Sequence, residues 1–171
     1  MKMKNVVLIG MPGAGKSTIG VLLAKSLLCD FVDTDLVIQK KYGCSLCDII
    51  EKAGTDGFIE IENKTVAGCK FSSSVIATGG SVVYGENAMK NLKENSITVY
   101  LSVSVSELEN RLKNIHTRGV AMKKGATIAD LFTERRPLYE KYADFTVDCD
   151  GLTAEECVER IVNTLRKQNV C

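Results

Sequence analysis

Short apolar runs alternate with amphipathic stretches along the chain, and each apolar run ends in glycine or in polar residues. The apolar runs predict strands at residues 6–9, 29–33, 74–77, 97–101 and 145–147. Between them, apolar residues spaced three or four apart predict helices. These helices are expected at residues 17–28, 36–42, 46–53, 57–69, 87–94, 105–114, 128–142 and 153–167. Such alternation predicts an α/β fold, in which helices cover both faces of a parallel sheet.

The composition is that of an ordinary globular domain. The chain has 171 residues, of which 45% are hydrophobic and 25% charged, and its formal net charge is +1. This length supports one hydrophobic core, so we expect a single domain over residues 1–171. The near-neutral charge argues against binding to nucleic acid or to an anionic membrane, and no apolar run approaches the ~20 residues that cross a bilayer. We expect a cytoplasmic protein, and a monomer.

The segment from Gly10 to Thr18, which reads GMPGAGKST, lies between the first predicted strand and the first predicted helix. In this context the pattern is typical of a phosphate-binding P-loop, whose backbone amides surround an anion at the helix N-terminus. Lys16 is expected to reach the β- and γ-phosphates, and the Ser17 hydroxyl to ligate Mg²⁺. The alternative is a glycine-rich turn that only joins strand to helix, but the Lys-Ser pair favours binding of a nucleoside triphosphate.

Further polar residues follow the second and third predicted strands. Asp33 and Asp35 lie on the same side of an extended segment, because side chains alternate along a strand. One carboxylate could orient Mg²⁺ while the other holds a substrate hydroxyl and takes its proton; alternatively, this segment caps the next helix. Gly79 and Gly80 follow the third strand. All of these residues are expected beyond the carboxyl ends of the strands, where parallel α/β sheets bind their ligands.

The second half of the chain supplies arginines, which a phosphoryl-transfer enzyme needs to balance negative charge. Arg118 lies in a polar, lysine-bearing stretch that we interpret as a mobile lid at about residues 114–125. A lid would exclude water and bring Arg118 to the transferring phosphate, although a solvated surface charge is the alternative. Arg135 and Arg136 are adjacent on a predicted helix, so only one of them is expected to face the cleft.

Taken together, five segments resemble the shikimate kinase family of small P-loop kinases. They are the P-loop with the following IG, FVDTD at 31–35, GF at 57–58 with Glu62, ATGG at 77–80, and ERRPLY at 134–139 followed by AD. The resemblance covers residue 6 to about residue 165. It implies a three-layer P-loop kinase fold with a mobile lid, ATP and Mg²⁺ as cofactors, and phosphorylation of a small-molecule hydroxyl. Shikimate is the expected acceptor, in aromatic amino acid biosynthesis.

The same resemblance implies roles on the nucleotide side of the site. Lys16 would act in catalysis, Ser17 and Asp33 would lie at the metal, and Arg111 would pack on adenine. The residues implied to hold the ATP phosphates are Gly13, Ala14, Gly15, Lys16, Ser17 and Thr18.

On the acceptor side, the resemblance implies that Asp35 binds the acceptor hydroxyls and orients the reacting one as a base. Gly79 and Gly80 would contact the acceptor, and Arg135 would pair with its carboxylate. Arg118 would be the catalytic arginine of the lid.

Three positions depart from the family pattern. Ile59 stands where the pattern has an arginine that pairs with the acceptor carboxylate, and Ser81 replaces the third glycine of a G-G-G turn. After Arg118, Gly-Val-Ala replaces Pro-Leu-Leu. Loss of one charge-assisted contact costs about 1.5–3 kcal/mol, or about ten-fold or more in affinity. Two alternatives therefore stay open: a kinase for another hydroxylated metabolite, such as a sugar acid, a cyclitol or a homoserine-like compound, and a nucleotide-binding pseudokinase.

Overall fold

The computed structural model describes residues 4–112 and 119–168. In this part of the chain one sheet is formed by β1 (Asn5–Ile9), β2 (Asp30–Asp33), β3 (Ser74–Ala77), β4 (Ser96–Ser102) and β5 (Phe145–Asp148). The strand order is β2-β3-β1-β4-β5, and every neighbouring pair is parallel. The predicted α/β fold with a parallel sheet is therefore confirmed.

The helices lie close to their predicted bounds, apart from α3. They are α1 (Lys16–Leu27), α2 (Thr34–Tyr42), α3 (Leu46–Ala67), α4 (Glu86–Lys93), α5 (Val105–Arg111), α6 (Ile128–Tyr142) and α7 (Ala154–Lys167). A short 3₁₀ turn, Val82–Tyr84, was not expected from the sequence. None of the helices within the described residues is both long and apolar enough to cross a membrane.

Helix α3 (Leu46–Ala67) consists of two helical segments that meet at a kink. Gly54 has φ 73° and ψ 174°, far from helical values, so it ends the first segment, and the second begins directly after it. The two helices predicted at residues 46–53 and 57–69 are therefore present, but the gap between them is one residue long and not a loop.

The core is centred on β1, all of whose residues are buried. This strand pairs with β3 on one side and with β4 on the other. A parallel strand covered on both faces reads as a continuous apolar run, which is why it could be recognised from the sequence. Its polar residue, Asn5, accepts a hydrogen bond from the N–H of Ser74 at 3.1 Å, so no buried amide oxygen is left unpaired there.

A second, smaller apolar cluster lies beside the main core and involves α2, α3 and one residue of the predicted lid. Its buried members are Ile38, Leu46, Ile49, Phe58 and Ala121. Because Ala121 packs with residues of both helices, the described end of the predicted lid is attached to α2 and α3.

The kink at Gly54 leads to a prediction about stability. Replacing Gly54 by Asn is expected to cost about 1–3 kcal/mol, because this combination of φ and ψ is adopted essentially by glycine alone. Gly43 is the matched control: it caps α2 at φ 69° and ψ 18°, a left-handed conformation that Asn tolerates. Among the described residues no heavy atom lies within 4 Å of a Cβ built at either position. Urea unfolding of Gly54→Asn and Gly43→Asn measures the loss in free energy of unfolding for each variant. Equal losses in the two variants would contradict the requirement for glycine at position 54.

Candidate active site

The P-loop joins the end of β1 to the start of α1, as predicted. The N–H of Ala14 donates to the carbonyl of Met11 at 3.1 Å and closes the loop. The buried Lys16 ammonium donates to the carbonyls of Gly10 and Met11, each at 2.8 Å. Burial lowers the pKa of Lys16 to about 8, while the nearby Asp35 carboxylate opposes this shift. At neutral pH the lysine is therefore mostly charged and is held at the phosphate-binding loop.

Ser17 and Asp33, the predicted metal ligands, are in direct contact, because Ser17 Oγ donates to Asp33 Oδ2 at 2.7 Å. The other oxygen, Asp33 Oδ1, accepts from the N–H groups of Asp35 at 2.9 Å and Leu36 at 3.4 Å, so Asp33 is also the N-cap of α2. The capping role considered for this segment is thus real, and it leaves one carboxylate oxygen beside the Ser17 hydroxyl. Mg²⁺ prefers oxygen ligands, so this pair fits that ion.

A cavity of about 330 Å³ lies between the P-loop and the residues that follow β2 and β3. The P-loop forms one side. The other side contains Asp35, Phe58, Gly79, Gly80, Ser81 and Arg135, together with Gly119, Val120 and Ala121 of the predicted lid. The structure therefore brings Lys16, Asp35 and Arg135 to one cavity. The sequence analysis predicts that they bind phosphate, the acceptor hydroxyls and the acceptor carboxylate, respectively.

Asp35 is suited to act on a hydroxyl in this cavity. Its pKa is raised to about 6, first by burial and then by the charge of Asp33, against the effect of Lys16. Among the described residues its buried Oδ1 atom has no hydrogen-bond partner. A carboxylate with a raised pKa accepts a proton more readily than an exposed aspartate does.

Arg135, and not Arg136, faces the cavity. The Arg135 side chain is 1% exposed, and its guanidinium lies 5.2 Å from the centre of the Tyr84 ring. It donates from Nε to the Tyr84 hydroxyl at 3.2 Å and from Nη2 to the carbonyl of Ala121. Arg136 is exposed and pairs with Glu140 at 2.7 Å. The phase of α6 therefore decides between the two arginines, as the sequence analysis required.

Tyr139 orders the turn after β3, although the sequence analysis gave it no role of its own. Its hydroxyl donates to the carbonyl of Gly80 at 2.6 Å, and its ring stacks on Tyr100 with centroids 5.2 Å apart. A Cβ at Gly80 would lie only 2.8 Å from Pro12 Cδ, so the turn packs directly on the P-loop. The signal that could have found Tyr139 is its place in the ERRPLY pattern.

Glu62 and Ser81 form a buried pair beside the cavity. Ser81 Oγ donates to Glu62 Oε2 at 2.5 Å, and Glu62 is 1% exposed. Burial raises the pKa of Glu62 to about 7, although the bond from Ser81 opposes this shift. Among the described residues Glu62 Oε1 has no hydrogen-bond partner. A Cβ at Gly79 would collide with this oxygen and would lie 2.8 Å from Asp35 Oδ1, so only glycine fits between the two carboxyl groups.

A second cavity, of about 400 Å³, adjoins the P-loop and contains Arg111. Arg111 donates from Nη1 to the carbonyl of Gly13 at 3.5 Å and from Nε to Glu107 at 2.9 Å. Cys149 and Leu152 contribute apolar surface to the same cavity. Arg111 is therefore next to the phosphate-binding loop, and its contact with adenine stays a prediction.

Arg118, the predicted lid arginine, lies outside the described residues. Residues of the predicted lid that are described pack against α3. A Cβ at Gly119 would lie 2.7 Å from Leu46 Cβ, and Thr55 Oγ1 donates to the carbonyl of Met122 at 3.2 Å. The mobility of the lid and the role of Arg118 stay predictions.

No compensating charge for Ile59 comes from Lys64, the next basic residue along α3. Its ammonium pairs with Glu60 at 2.6 Å, and the Lys64 side chain is 71% exposed. Lys64 therefore lies on the solvent side of the helix, away from the buried Phe58 that lines the cavity.

Comparison with known proteins tests the resemblance found in the motifs. Residues 12–166 match the sequence profile of shikimate kinase. The chain belongs to the shikimate kinase family. Within the family, a shikimate kinase from Thermodesulfovibrio yellowstonii is 41% identical over 163 residues, which cover 94% of each protein.

The likeness extends to solved structures and to larger proteins. The structure of shikimate kinase from Acinetobacter baumannii in complex with shikimate has a TM-score of 0.88 and 29% identity, and the match covers 97% of this chain and 94% of that one. Threonine synthase-like 1 from Homo sapiens is 35% identical over 167 residues, which are 96% of this chain but only 22% of that protein. Membership of the family confirms the predicted P-loop kinase fold and a phosphotransferase reaction on a hydroxyl group.

The buried Glu62 leads to a prediction about pH and stability. Its folded-state pKa of about 7 lies above its ordinary value of 4.5, so its contribution to stability is fully present below the ordinary pKa and is lost as pH rises through about 7. Glu62→Gln removes this loss, since the amide stays neutral and can still accept the bond from Ser81. Relative to the wild type, the variant should gain on the order of 2 kcal/mol or more between about pH 5 and about pH 8.

The matched control is Glu60→Gln on the solvent side of the same helix. Glu60 is ionised in the folded and unfolded states across this range, so the difference from the wild type should not vary with pH. Thermal unfolding at several pH values checks both variants. A pH-independent difference for Glu62→Gln would show that Glu62 is not a buried acid of raised pKa.

Proposed function

We propose that the chain transfers the γ-phosphoryl group of ATP to a hydroxyl of shikimate. One observation carries the proposal: a single cavity contains Lys16 for phosphate, Asp35 for a hydroxyl and Arg135 for a carboxylate. Shikimate presents both of the acceptor groups that this cavity can bind. The relative from Acinetobacter baumannii, whose structure was solved with shikimate bound, supports the same acceptor.

The donor half of the reaction depends on the P-loop. Backbone N–H groups at the start of α1, with Lys16 and the hydroxyls of Ser17 and Thr18, would hold the ATP phosphates. Ser17 and Asp33 would hold Mg²⁺, which supplies positive charge to the phosphate oxygens when bound. Arg111 would pack against adenine in the second cavity, and Arg118 would add charge at the transferring group from the lid.

The acceptor half depends on the half-buried Asp35 and the buried Arg135. Asp35 would orient the reacting hydroxyl and take its proton on the carboxylate. Arg135 would pair with the acceptor carboxylate, which replaces the carbonyl of Ala121 as the partner of Nη2. Because the carbonyl belongs to the predicted lid, acceptor binding and lid position are expected to be coupled.

The enzyme would be a single-domain monomer, as the sequence analysis predicts. ATP as the donor fits a cytoplasmic location.

The proposed role of Asp35 is tested by kinetics. Wild-type protein should release ADP from Mg²⁺-ATP in the presence of shikimate, and Asp35→Asn should lower kcat by about 10²–10⁴-fold, because the amide cannot accept the hydroxyl proton. Arg136→Gln is the matched control, since Arg136 is exposed on α6 and its loss should leave turnover unchanged. Absence of shikimate-dependent turnover in the wild type, or full activity of Asp35→Asn, would refute the proposal.

The departure at Ile59 makes a separate prediction about affinity. Ile59→Arg places a guanidinium one turn from Glu62 on the same helix, and the KM for shikimate should fall by about ten-fold or more with little change in kcat. Ala53→Arg, which adds the same charge at an exposed position of α3, is the control and should leave KM unchanged. If Ile59→Arg gives no gain, the pocket is shaped for a different acceptor.

A further inference from the structure

A buried acid that forms no ion pair among the described residues lies beside the acceptor side of the cavity. This acid is Glu62, which is 1% exposed. The charges of Arg135 and Lys16 favour its ionised form, but burial outweighs them and raises its pKa. Burying a carboxylate is costly, so Glu62 either holds a proton or is balanced when a further cation binds. The position one turn earlier, where the family pattern has an arginine, is Ile59, and Lys64 is paired elsewhere.

Ser81 transmits the character of Glu62 to the cavity. The Ser81 hydroxyl donates a hydrogen bond to Glu62 Oε2 at 2.5 Å, and Ser81 itself lines the cavity. When Glu62 is ionised, a hydroxyl that donates in this way can only accept toward the cavity. The group that Ser81 meets on a ligand must therefore be a donor, such as an ammonium or a hydroxyl, and a carboxylate is disfavoured there.

Two carboxyl oxygens without hydrogen-bond partners among the described residues lie near this serine. Asp35 Oδ1 and Glu62 Oε1 both lie against Gly79, and neither has a hydrogen-bond partner among the described residues. A negative charge raises the pKa of a neighbouring acid, and the Asp35 carboxylate raises the pKa of Glu62 in this way. A cation bound beside this pair would relieve their repulsion. Arg135, in contrast, offers only donors and fits a carboxylate.

We infer that the cavity accepts, as a second class of substrate beside shikimate, small α-amino acids that carry a side-chain hydroxyl. The carboxylate would pair with Arg135, the ammonium would donate to Ser81 with Glu62 as its counter-ion, and the hydroxyl would face Asp35. The inference rests on the proposed function, because it uses the same transfer. The hydroxyl oxygen forms a bond to the γ-phosphorus, the bond from that phosphorus to ADP breaks, and the hydroxyl proton passes to Asp35.

The test compares two acceptors that differ only in the ammonium group. Homoserine and 4-hydroxybutyrate share a carboxylate, a chain length and a terminal hydroxyl. With Mg²⁺-ATP, homoserine should be phosphorylated with a kcat/KM about ten-fold or more above that of 4-hydroxybutyrate, the effect expected of one charge-assisted contact. Equal values for the two acceptors would overturn the inference.

Two variants locate the effect in the Ser81–Glu62 pair. Glu62→Gln and Ser81→Ala should each raise the KM for homoserine by about ten-fold, with a smaller change for 4-hydroxybutyrate and for shikimate. Glu62→Gln keeps the shape of the side chain, and its unfolding curve shows whether it is folded at the assay pH. If both folded variants keep the wild-type preference for homoserine over 4-hydroxybutyrate, Ser81 and Glu62 do not bind the ammonium group and the inference is wrong.

A binding measurement separates this inference from the proposed function. Calorimetry with homoserine and a non-hydrolysable ATP analogue should show binding that Glu62→Gln weakens. Turnover of shikimate without binding of homoserine overturns the inference and leaves the proposed function intact. If no acceptor is phosphorylated, the proposed function fails, and the calorimetry still decides whether the pocket recognises an ammonium.

Discussion

The position of β1 at the centre of a parallel sheet is the constraint on which the site depends. All residues of β1 are buried, and its neighbours are β3 and β4. The loop that leaves β1 therefore emerges beside the turn that follows β3, and Gly80 packs on Pro12 there. Because β2 lies beyond β3, its acidic end comes to the same edge. The strand order therefore places Lys16 and Asp35 at the same edge of the sheet.

Charges at this edge are held at low exposure, and their pKa values depend on one another. Burial lowers the pKa of Lys16 and raises those of Asp35 and Glu62, while each carboxylate opposes the shift of the lysine. Arg135 is held by Tyr84 and by the carbonyl of Ala121. An ATP phosphate or a phosphorylated product bound there would change this balance, because a negative charge raises the pKa of nearby acidic and basic groups alike.

Much of this arrangement could be predicted because its signals are local. Buried parallel strands read as apolar runs, and the P-loop pattern spans consecutive residues. The break between the two segments of α3 could be predicted because the apolar spacing is interrupted there, but its confinement to the single residue Gly54 could not. Glu62 was noticed only as part of a family motif. Its pairing with Ser81 joins α3 to the turn after β3, and contacts between residues far apart in sequence leave no periodic signal.

The phosphate half of the site uses mainly backbone groups, whereas the acceptor half uses side chains. This difference explains why the phosphate half was easier to recognise from the sequence. Phosphate binding relies mostly on backbone N–H groups of the P-loop and α1, so the geometry of the loop determines it. In the proposed reaction, acceptor binding relies on side chains of α2, α6 and the turn after β3, and these can be exchanged without altering the backbone. Relative to the family pattern, Ile59 lacks the guanidinium donors of an arginine, and Ser81 brings a hydroxyl that is bonded to Glu62. On the inference drawn above, both departures favour a ligand that donates hydrogen bonds over one that offers a second carboxylate, while the fold stays that of the family.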